Sequence, residues 1–127
     1  MHRSRLGGFI IDCHTENLEE AAEFWSRALG FDIKPSSDPD DKNYVLLDTG
    51  ENDLHIEVQK VDHPSRVHLD IAADDIEAEV RRLEQLGATR VKKVSSWWVM
   101  QAPTGHRFCV VHPEQPDFIR DATEWQD

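Results

Sequence analysis

The 127-residue chain carries 14 basic and 25 acidic residues, for a net charge of −11. Because so acidic a chain repels phosphate backbones, no nucleic-acid partner is expected. The length suits one domain with a hydrophobic core, and no apolar run approaches membrane-spanning length, so no membrane partner is expected. Two cysteines make no disulfide framework, which favours reduced thiols at Cys13 and Cys109 and a cytoplasmic location.

The first half of the chain predicts a strand, a helix and three further strands. Alternating apolar residues predict a strand over 8–14, and Asn17 stands three residues before a glutamate, as a helix N-cap does. An apolar stripe at helical spacing runs from Leu18 to Leu29, and Gly30 supplies the C-terminal stop. The next strands are predicted from residue 31, over 44–48 and over 54–58, with a loop over 35–41 and a turn over 49–53.

The second half repeats this order at a constant offset from the first. A strand begins at Arg66, Asp74 is the expected N-cap, and a helical stripe runs from Ile76 to a stop at Gly87. Such a repeat indicates a duplicated supersecondary unit, with matching strands around a shared cleft. Three more strands are predicted over 89–94, 97–101 and 107–112, and a polar tail from 113 is anchored by Phe118, Ile119 and Trp125.

Strand alternation assigns side chains to a core face and a cleft face in each half. Val67, Leu69 and Ile71 are expected to pack on the helix, while His68 and Asp70 take the cleft face. The same alternation puts these residues of the first half on the cleft side: Asp12, His14, His55 and Glu57.

Four segments, 17–31, 66–71, 74–88 and 102–108, resemble the vicinal oxygen chelate superfamily of glyoxalases, bleomycin-resistance proteins and extradiol dioxygenases. The phrase Arg-Val-His-Leu-Asp is most similar to its small bacterial glyoxalase-like subgroup. The resemblance implies an α+β fold of two βαβββ modules that form a partly open, eight-stranded mixed sheet around a cleft, commonly in a homodimer. We expect a single domain over 1–127, with modules over about 6–60 and 66–112 and a tail over 113–127.

The resemblance also implies a divalent metal held by the first and fourth strands of both modules. These positions fall on Ile10, Glu57, His68 and Cys109. Ile10 cannot ligate, Glu57 and His68 are good ligands, and Cys109 is a thiol where the family usually has a carboxylate. The expectation is an incomplete site, with zinc, nickel, manganese or iron on Glu57 and His68, or no metal at all, left equally open.

Further candidates line the predicted cleft. His55 and Cys109 are the candidate catalytic residues, since imidazole moves protons near neutral pH and a thiolate is a nucleophile or ligand. Cys109 as a small packed residue is the alternative. Asp70 is expected to orient His68, with a solvated strand residue as the alternative. Of two adjacent tryptophans one is expected in the core and the other in the cleft or at a subunit interface. The ligand-binding candidates are Asp12, His14, His55, Asp70, Trp97, Trp98, Arg107 and Cys109.

The favoured function is binding of a small molecule in the cleft without a complete metal site, as in an antibiotic- or metabolite-sequestering protein. The alternative is a metal-dependent lyase, isomerase or dioxygenase that uses Glu57 and His68 as ligands, with the metal acting as a Lewis acid. A third hypothesis is an interaction module with a vestigial cleft.

Overall fold

The computed structural model describes residues 1–35, 43–50, 54–114 and 118–126. The described residues form three helices and nine strands. In chain order these are β1 (His2–His14), α1 (Leu18–Leu29), β2 (Ile33–Lys34), β3 (Tyr44–Leu47), β4 (His55–Val61), β5 (Arg66–Ala73), α2 (Ile76–Gln85), β6 (Thr89–Val94), β7 (Trp97–Gln101), β8 (Arg107–Val111), α3 (Phe118–Asp121) and β9 (Thr123–Trp125). The order strand-helix-strand-strand-strand occurs twice, so the predicted α+β class with two βαβββ modules is confirmed.

The chain forms two compact units. The N-terminal unit comprises residues 9–67, and the C-terminal unit comprises residues 1–8 and 68–127. Strand β1 therefore begins in the C-terminal unit and ends in the N-terminal unit. Residues 36–41 of the predicted loop and residues 51–53 of the predicted turn lie outside the described residues. No helix in the described part of the chain is long and apolar enough to cross a membrane.

The N-terminal unit packs α1 on antiparallel strands in the order β2-β3-β4. Helix α1 begins as the sequence predicts, because Asn17 Oδ1 accepts a hydrogen bond from the Glu20 N–H at 3.1 Å. The helix ends at Gly30, whose φ of 77° is the left-handed conformation that glycine adopts without cost. Its buried face joins Leu47 and Val58 in a core that also includes Trp25.

The C-terminal unit packs α2 on strands in the order β5-β8-β7-β6. Strands β5 and β8 are parallel, and the β8-β7 and β7-β6 pairs are antiparallel. Helix α2 covers one face of these strands through a buried core of Ala73, Ile76, Val80, Leu83, Ala88, Met100, Phe108 and Val110.

Two expectations about β5 and α2 were wrong. Val67 is 56% exposed and Leu69 is 44% exposed, because the core beneath α2 includes β5 only from Ile71 onward. The helix N-cap is Asp75, which accepts from the Ala78 N–H at 3.0 Å, and not Asp74. The Asp74 carboxylate instead accepts a hydrogen bond from the backbone N–H of Arg3 at 2.7 Å.

The tail is tied to the first strand. Strand β9, which the sequence did not predict, pairs antiparallel with β1, with Trp125 opposite His2. The Trp125 indole N–H donates to Ser4 Oγ at 2.8 Å, and Phe118 is buried, so both predicted anchors are confirmed. Ile119 is 72% exposed and is not an anchor, since it lies in the single turn of α3 beside the buried Phe118.

A buried charged network joins β1 to α2 inside the C-terminal unit. His2 Nε2 lies 2.8 Å from Glu79 Oε1, and both side chains are fully buried. Arg82 donates two hydrogen bonds to the Glu79 carboxylate, at 2.8 and 2.9 Å, and its guanidinium lies 3.8 Å from the ring centroid of Trp125. Burial raises the pKa of Glu79, but hydrogen bonds from Arg82, His2 and Ser4 outweigh it, so this pKa lies below its ordinary value.

Candidate functional site

Strand pairing in the C-terminal unit brings onto one face three side chains of types that can ligate a metal. His68 and Asp70 are two residues apart on β5, so they point to the same side of the strand. The parallel register sets Asp70 directly beside Cys109 on β8. The face they share is the one opposite α2, because their neighbours Phe108 and Val110 enter the helix core.

The three side chains form a compact donor group. One ligand atom each from His68, Asp70 and Cys109 lies within 4.8 Å of the others, and all three residues are partly buried. His68 Nε2 is 3.8 Å from Asp70 Oδ1. Donor atoms around a tetrahedral zinc ion lie about 3–4 Å apart, given metal–ligand bonds of roughly 2.0–2.3 Å. The His68–Asp70 separation falls in this range, and the nitrogen, oxygen and sulfur of the group are donor types that divalent transition metals accept.

Alternation assigns two polar side chains and an aromatic one to the same face. Arg107 precedes Cys109 by two residues, so strand alternation puts it on the donor side, and Gln101 of β7 is its antiparallel partner. Val99 is the β7 partner of Cys109, and Trp97 lies two residues before it. Alternation therefore assigns a guanidinium, an amide and an indole to the strand face that carries Cys109.

The two adjacent tryptophans take different sides, as alternation requires. Trp98 pairs with Val110 and faces α2, where the Arg90 guanidinium lies 4.9 Å from its ring centroid. Arg90 is fixed there by Glu77 and Glu84, whose hydrogen bonds raise its pKa.

Trp97 takes the Cys109 side by register, and it also packs against the core. Strand alternation therefore favours Trp97 over Trp98 for the donor side, and the role of either tryptophan in the cleft stays a prediction.

His55 and Glu57 come together in the N-terminal unit. They point the same way on β4, and His55 Nε2 lies 3.4 Å from Glu57 Oε1 with both side chains largely buried. The predicted strand face is confirmed, since Ile56 and Val58 pack in the core with α1. The role of Glu57 as a partner ligand of His68 stays a prediction, as does the catalytic role of His55.

Asp12 and His14 lie at the end of β1, beside the link between the modules. The Asp12 side chain is 2% exposed and lies 3.5 Å from Arg66 Nε. The backbone N–H of His14 donates to Ser65 Oγ at 2.9 Å. The pKa of the neighbouring Cys13 thiol lies above its ordinary value, because burial raises it more than a hydrogen bond with Trp25 lowers it. A raised pKa disfavours a reactive thiolate at Cys13.

Sequence reasoning assigned Asp70 to orienting His68 and to binding a ligand, and not to the metal. The structure puts its carboxylate in the donor group itself, and the missing information was the β5–β8 register. Gln101 was not singled out at all, although its position opposite Arg107 follows once the 97–101 and 107–112 strands are paired as a hairpin.

A protein-family model described as a glyoxalase-like domain matches residues 8–111. The chain belongs to this family. The match spans most of the chain, so the family resemblance read from the sequence is confirmed. No curated protein matches the sequence.

Solved structures share the glyoxalase-like fold at low identity. Methylmalonyl-CoA epimerase from Mycobacterium tuberculosis is 18% identical, with a TM-score of 0.60 over 86% of this chain and 87% of that chain. A variant of the Streptomyces coelicolor methylmalonyl-CoA epimerase, in complex with 2-nitronate-propionyl-CoA, is 13% identical, with a TM-score of 0.59 over 86% of this chain and 96% of that chain.

A third neighbour carries a different activity in its name. It is described as an NAD-dependent benzaldehyde dehydrogenase from Legionella pneumophila, and it is 11% identical, with a TM-score of 0.60 over 84% of this chain and 99% of that chain. At these identities the similarity establishes the fold, and the activity has to be argued from the side chains of this chain.

Proposed function

We propose that this protein is a metal-dependent enzyme of the glyoxalase-like family, of lyase, isomerase or dioxygenase type, that acts on a small anionic molecule with neighbouring oxygens. The observation that carries the proposal is the donor group of His68, Asp70 and Cys109, with ligand atoms within 4.8 Å of one another. Sequence reasoning favoured metal-free binding, with Glu57 and His68 as the two good ligands, Cys109 as a further candidate and Asp70 not counted as a ligand. With Asp70 and Cys109 both grouped with His68, three donors are available, and this favours a metal site over metal-free binding.

The number of donors favours catalysis over a purely structural metal. Catalytic zinc sites commonly use three protein ligands, which leaves a position for water or substrate, whereas structural sites use four. When bound, a divalent metal there supplies Lewis-acid polarisation of a substrate oxygen.

The remaining groups on the donor face suit substrate binding. Arg107 offers a planar guanidinium that pairs with a carboxylate or enolate oxygen, and Gln101 offers an amide beside it. The Trp97 indole supplies apolar area for the body of the molecule. We therefore propose a substrate of the carboxylate or acyl-thioester class. The CoA-type ligand in the solved Streptomyces coelicolor epimerase variant is a reason to include thioesters in a screen.

Metal content of the purified protein tests the proposal. Protein loaded with zinc, nickel, manganese or iron and then desalted should retain about one ion per chain, and His68→Ala should lose it. His106→Ala is the matched control, because His106 is exposed in the β7–β8 turn, where its Nδ1 lies 2.7 Å from Thr104 Oγ1. Glu57→Ala, run in parallel, tests the predicted additional ligand. Equal metal retention in wild type and His68→Ala would contradict the proposal.

Metal-free sequestration is the second candidate, and the isoleucine at position 10 favours it. Ile10 occupies a family ligand position and is 3% exposed, so it offers no donor. A thermal-shift screen with carboxylates, thioesters, aromatic compounds and glycopeptide-like antibiotics separates the two functions. Equal shifts for metal-loaded and metal-free protein support sequestration, and shifts that require the metal support the enzyme.

Homodimer formation and a cytoplasmic location remain expectations. Val67 and Leu69 are exposed apolar side chains two residues apart on β5, which is a reason to test for a subunit contact. Sedimentation analysis measures the oligomeric state directly.

A further inference from the structure

The composition of the donor group differs from the one that the family resemblance implies. A carboxylate is usual at the fourth-strand position of the second module, and this chain has the Cys109 thiol there. The group therefore combines one nitrogen, one oxygen and one sulfur donor. The sulfur is the donor that discriminates most strongly among divalent metals, because thiolates bind soft and borderline ions and bind hard ions poorly.

The fold fixes the thiol in place. Strand β8 lies between β5 and β7, and Cys109 has a register partner on each side, Asp70 and Val99. A side chain on a strand paired along both edges has little backbone freedom. The ladder itself thus holds the sulfur on the same strand face as His68 and Asp70.

We infer that Cys109 makes this a thiolate site selective for zinc-type ions (Zn²⁺, Co²⁺, Ni²⁺) and against Mg²⁺, Ca²⁺ and Mn²⁺. The inference rests on the proposed function, because it assumes that His68, Asp70 and Cys109 bind a metal. It goes further in excluding the hard ions that a histidine–carboxylate site of the same size accepts. It also means that oxidation or alkylation of Cys109 weakens the site.

Absorption spectroscopy with Co²⁺ provides a readout that does not depend on activity. Titration of the metal-free protein should produce a near-ultraviolet sulfur-to-cobalt charge-transfer band, because that transition requires a bound thiolate. Cys109→Ser should abolish the band. Cys13→Ser is the matched control: it removes the other thiol of the chain, which lies in the N-terminal unit, and should keep the band.

Competition titrations measure the selectivity itself. In Cys109→Ser, Zn²⁺ affinity should fall by at least the ~100-fold that loss of an outer-shell partner can cost. Mn²⁺ affinity should change by less than tenfold, since manganese gained little from the sulfur. Cys109→Asp should narrow the preference for Zn²⁺ over Mn²⁺, and it covers the case in which the serine variant fails to fold.

The outcomes separate this inference from the proposed function. Stoichiometric Co²⁺ binding that requires His68 but gives no charge-transfer band, or equal Zn²⁺ and Mn²⁺ affinity in wild type, overturns the thiolate site and leaves the metal-dependent function standing. A wild-type protein that binds none of these ions overturns both. A cysteine-dependent band together with a Zn²⁺ preference establishes the thiolate site.

Discussion

The buried carboxylate of Glu79 offers the sharpest stability test. Its two oxygens accept hydrogen bonds from His2 and from both Arg82 donors at 2.8–2.9 Å, and the side chain is fully buried. Glu79→Gln keeps the shape but removes the charge and turns one acceptor into a donor that faces other donors. Breaking a buried charge pair by altering one partner costs about 3–5 kcal/mol, and hydrogen bonds to charged groups contribute about 1.5–3 kcal/mol each.

We therefore expect Glu79→Gln to lower the free energy of unfolding by about 3 kcal/mol or more, seen as a lower midpoint in urea denaturation with an unchanged slope. Glu124→Gln is the matched control. Glu124 is partly exposed and lies 3.8 Å from Arg3, so its loss should cost less than about 1 kcal/mol. A Glu79→Gln protein within about 1 kcal/mol of wild type would refute the view that this network stabilises the attachment of β1 to α2.

The same carboxylate predicts a pH dependence. The pKa of Glu79 lies below its ordinary value in the folded state, so the unfolded chain binds its proton more readily. The stabilisation from Glu79 is then fully present above the ordinary glutamate pKa, and it is lost as the pH falls through the lowered folded-state pKa. Denaturation midpoints measured from neutral to acidic pH should fall more steeply for wild type than for Glu79→Gln.

Two further predictions concern the donor group and α1. Gly7→Ala would put a methyl group 3.1 Å from the Ala72 Cβ and 3.4 Å from the Asp70 carbonyl oxygen, so it should cost about 1–3 kcal/mol and also weaken Zn²⁺ binding. Gly105→Ala is the control: its added methyl group meets no atom within 4 Å, but the φ of 89° strains an alanine. It should lower the melting temperature and leave Zn²⁺ affinity unchanged. An equal loss of Zn²⁺ affinity in Gly7→Ala and Gly105→Ala would contradict a local effect of Gly7→Ala on the donor group. Asn17→Ala should lower stability by about 1 kcal/mol in thermal unfolding, while Asn17→Asp should be tolerated. Equal stability of wild type and both variants would show that the Asn17 side chain does not stabilise α1 as an N-cap.

Local patterns predicted most of the fold, and long-range pairing accounts for what they missed. The bounds of α1 follow from an N-cap, an apolar stripe and a glycine, which are all adjacent in the sequence. The N-cap of α2 was placed one residue early because Asp74 and Asp75 are both capping residues. The choice between them depends on a hydrogen bond from Arg3, far away in the sequence. The exposure of Val67 and Leu69 likewise depends on how far α2 extends over β5.

The candidate site was predictable in its members but not in its grouping. Alternation identified the faces of His68 and Asp70, and the resemblance pointed to Cys109. Only the register of β5 against β8 makes Asp70 and Cys109 neighbours, and a parallel pairing of strands about forty residues apart leaves no local signal. The sides that alternation assigns to Trp97 and Trp98 follow from a second pairing, the register of β7 against β8.

The pairing of β9 with β1 has a consequence for the order of the chain. Because Trp125 lies opposite His2, the first and last described strands run side by side, and a short linker would span the gap. A circular permutant closed there and reopened in the exposed link near Pro64 would gather residues 68–127 and 1–8 into one uninterrupted stretch. The two compact units, which are interleaved in this sequence, would then follow one another along the chain.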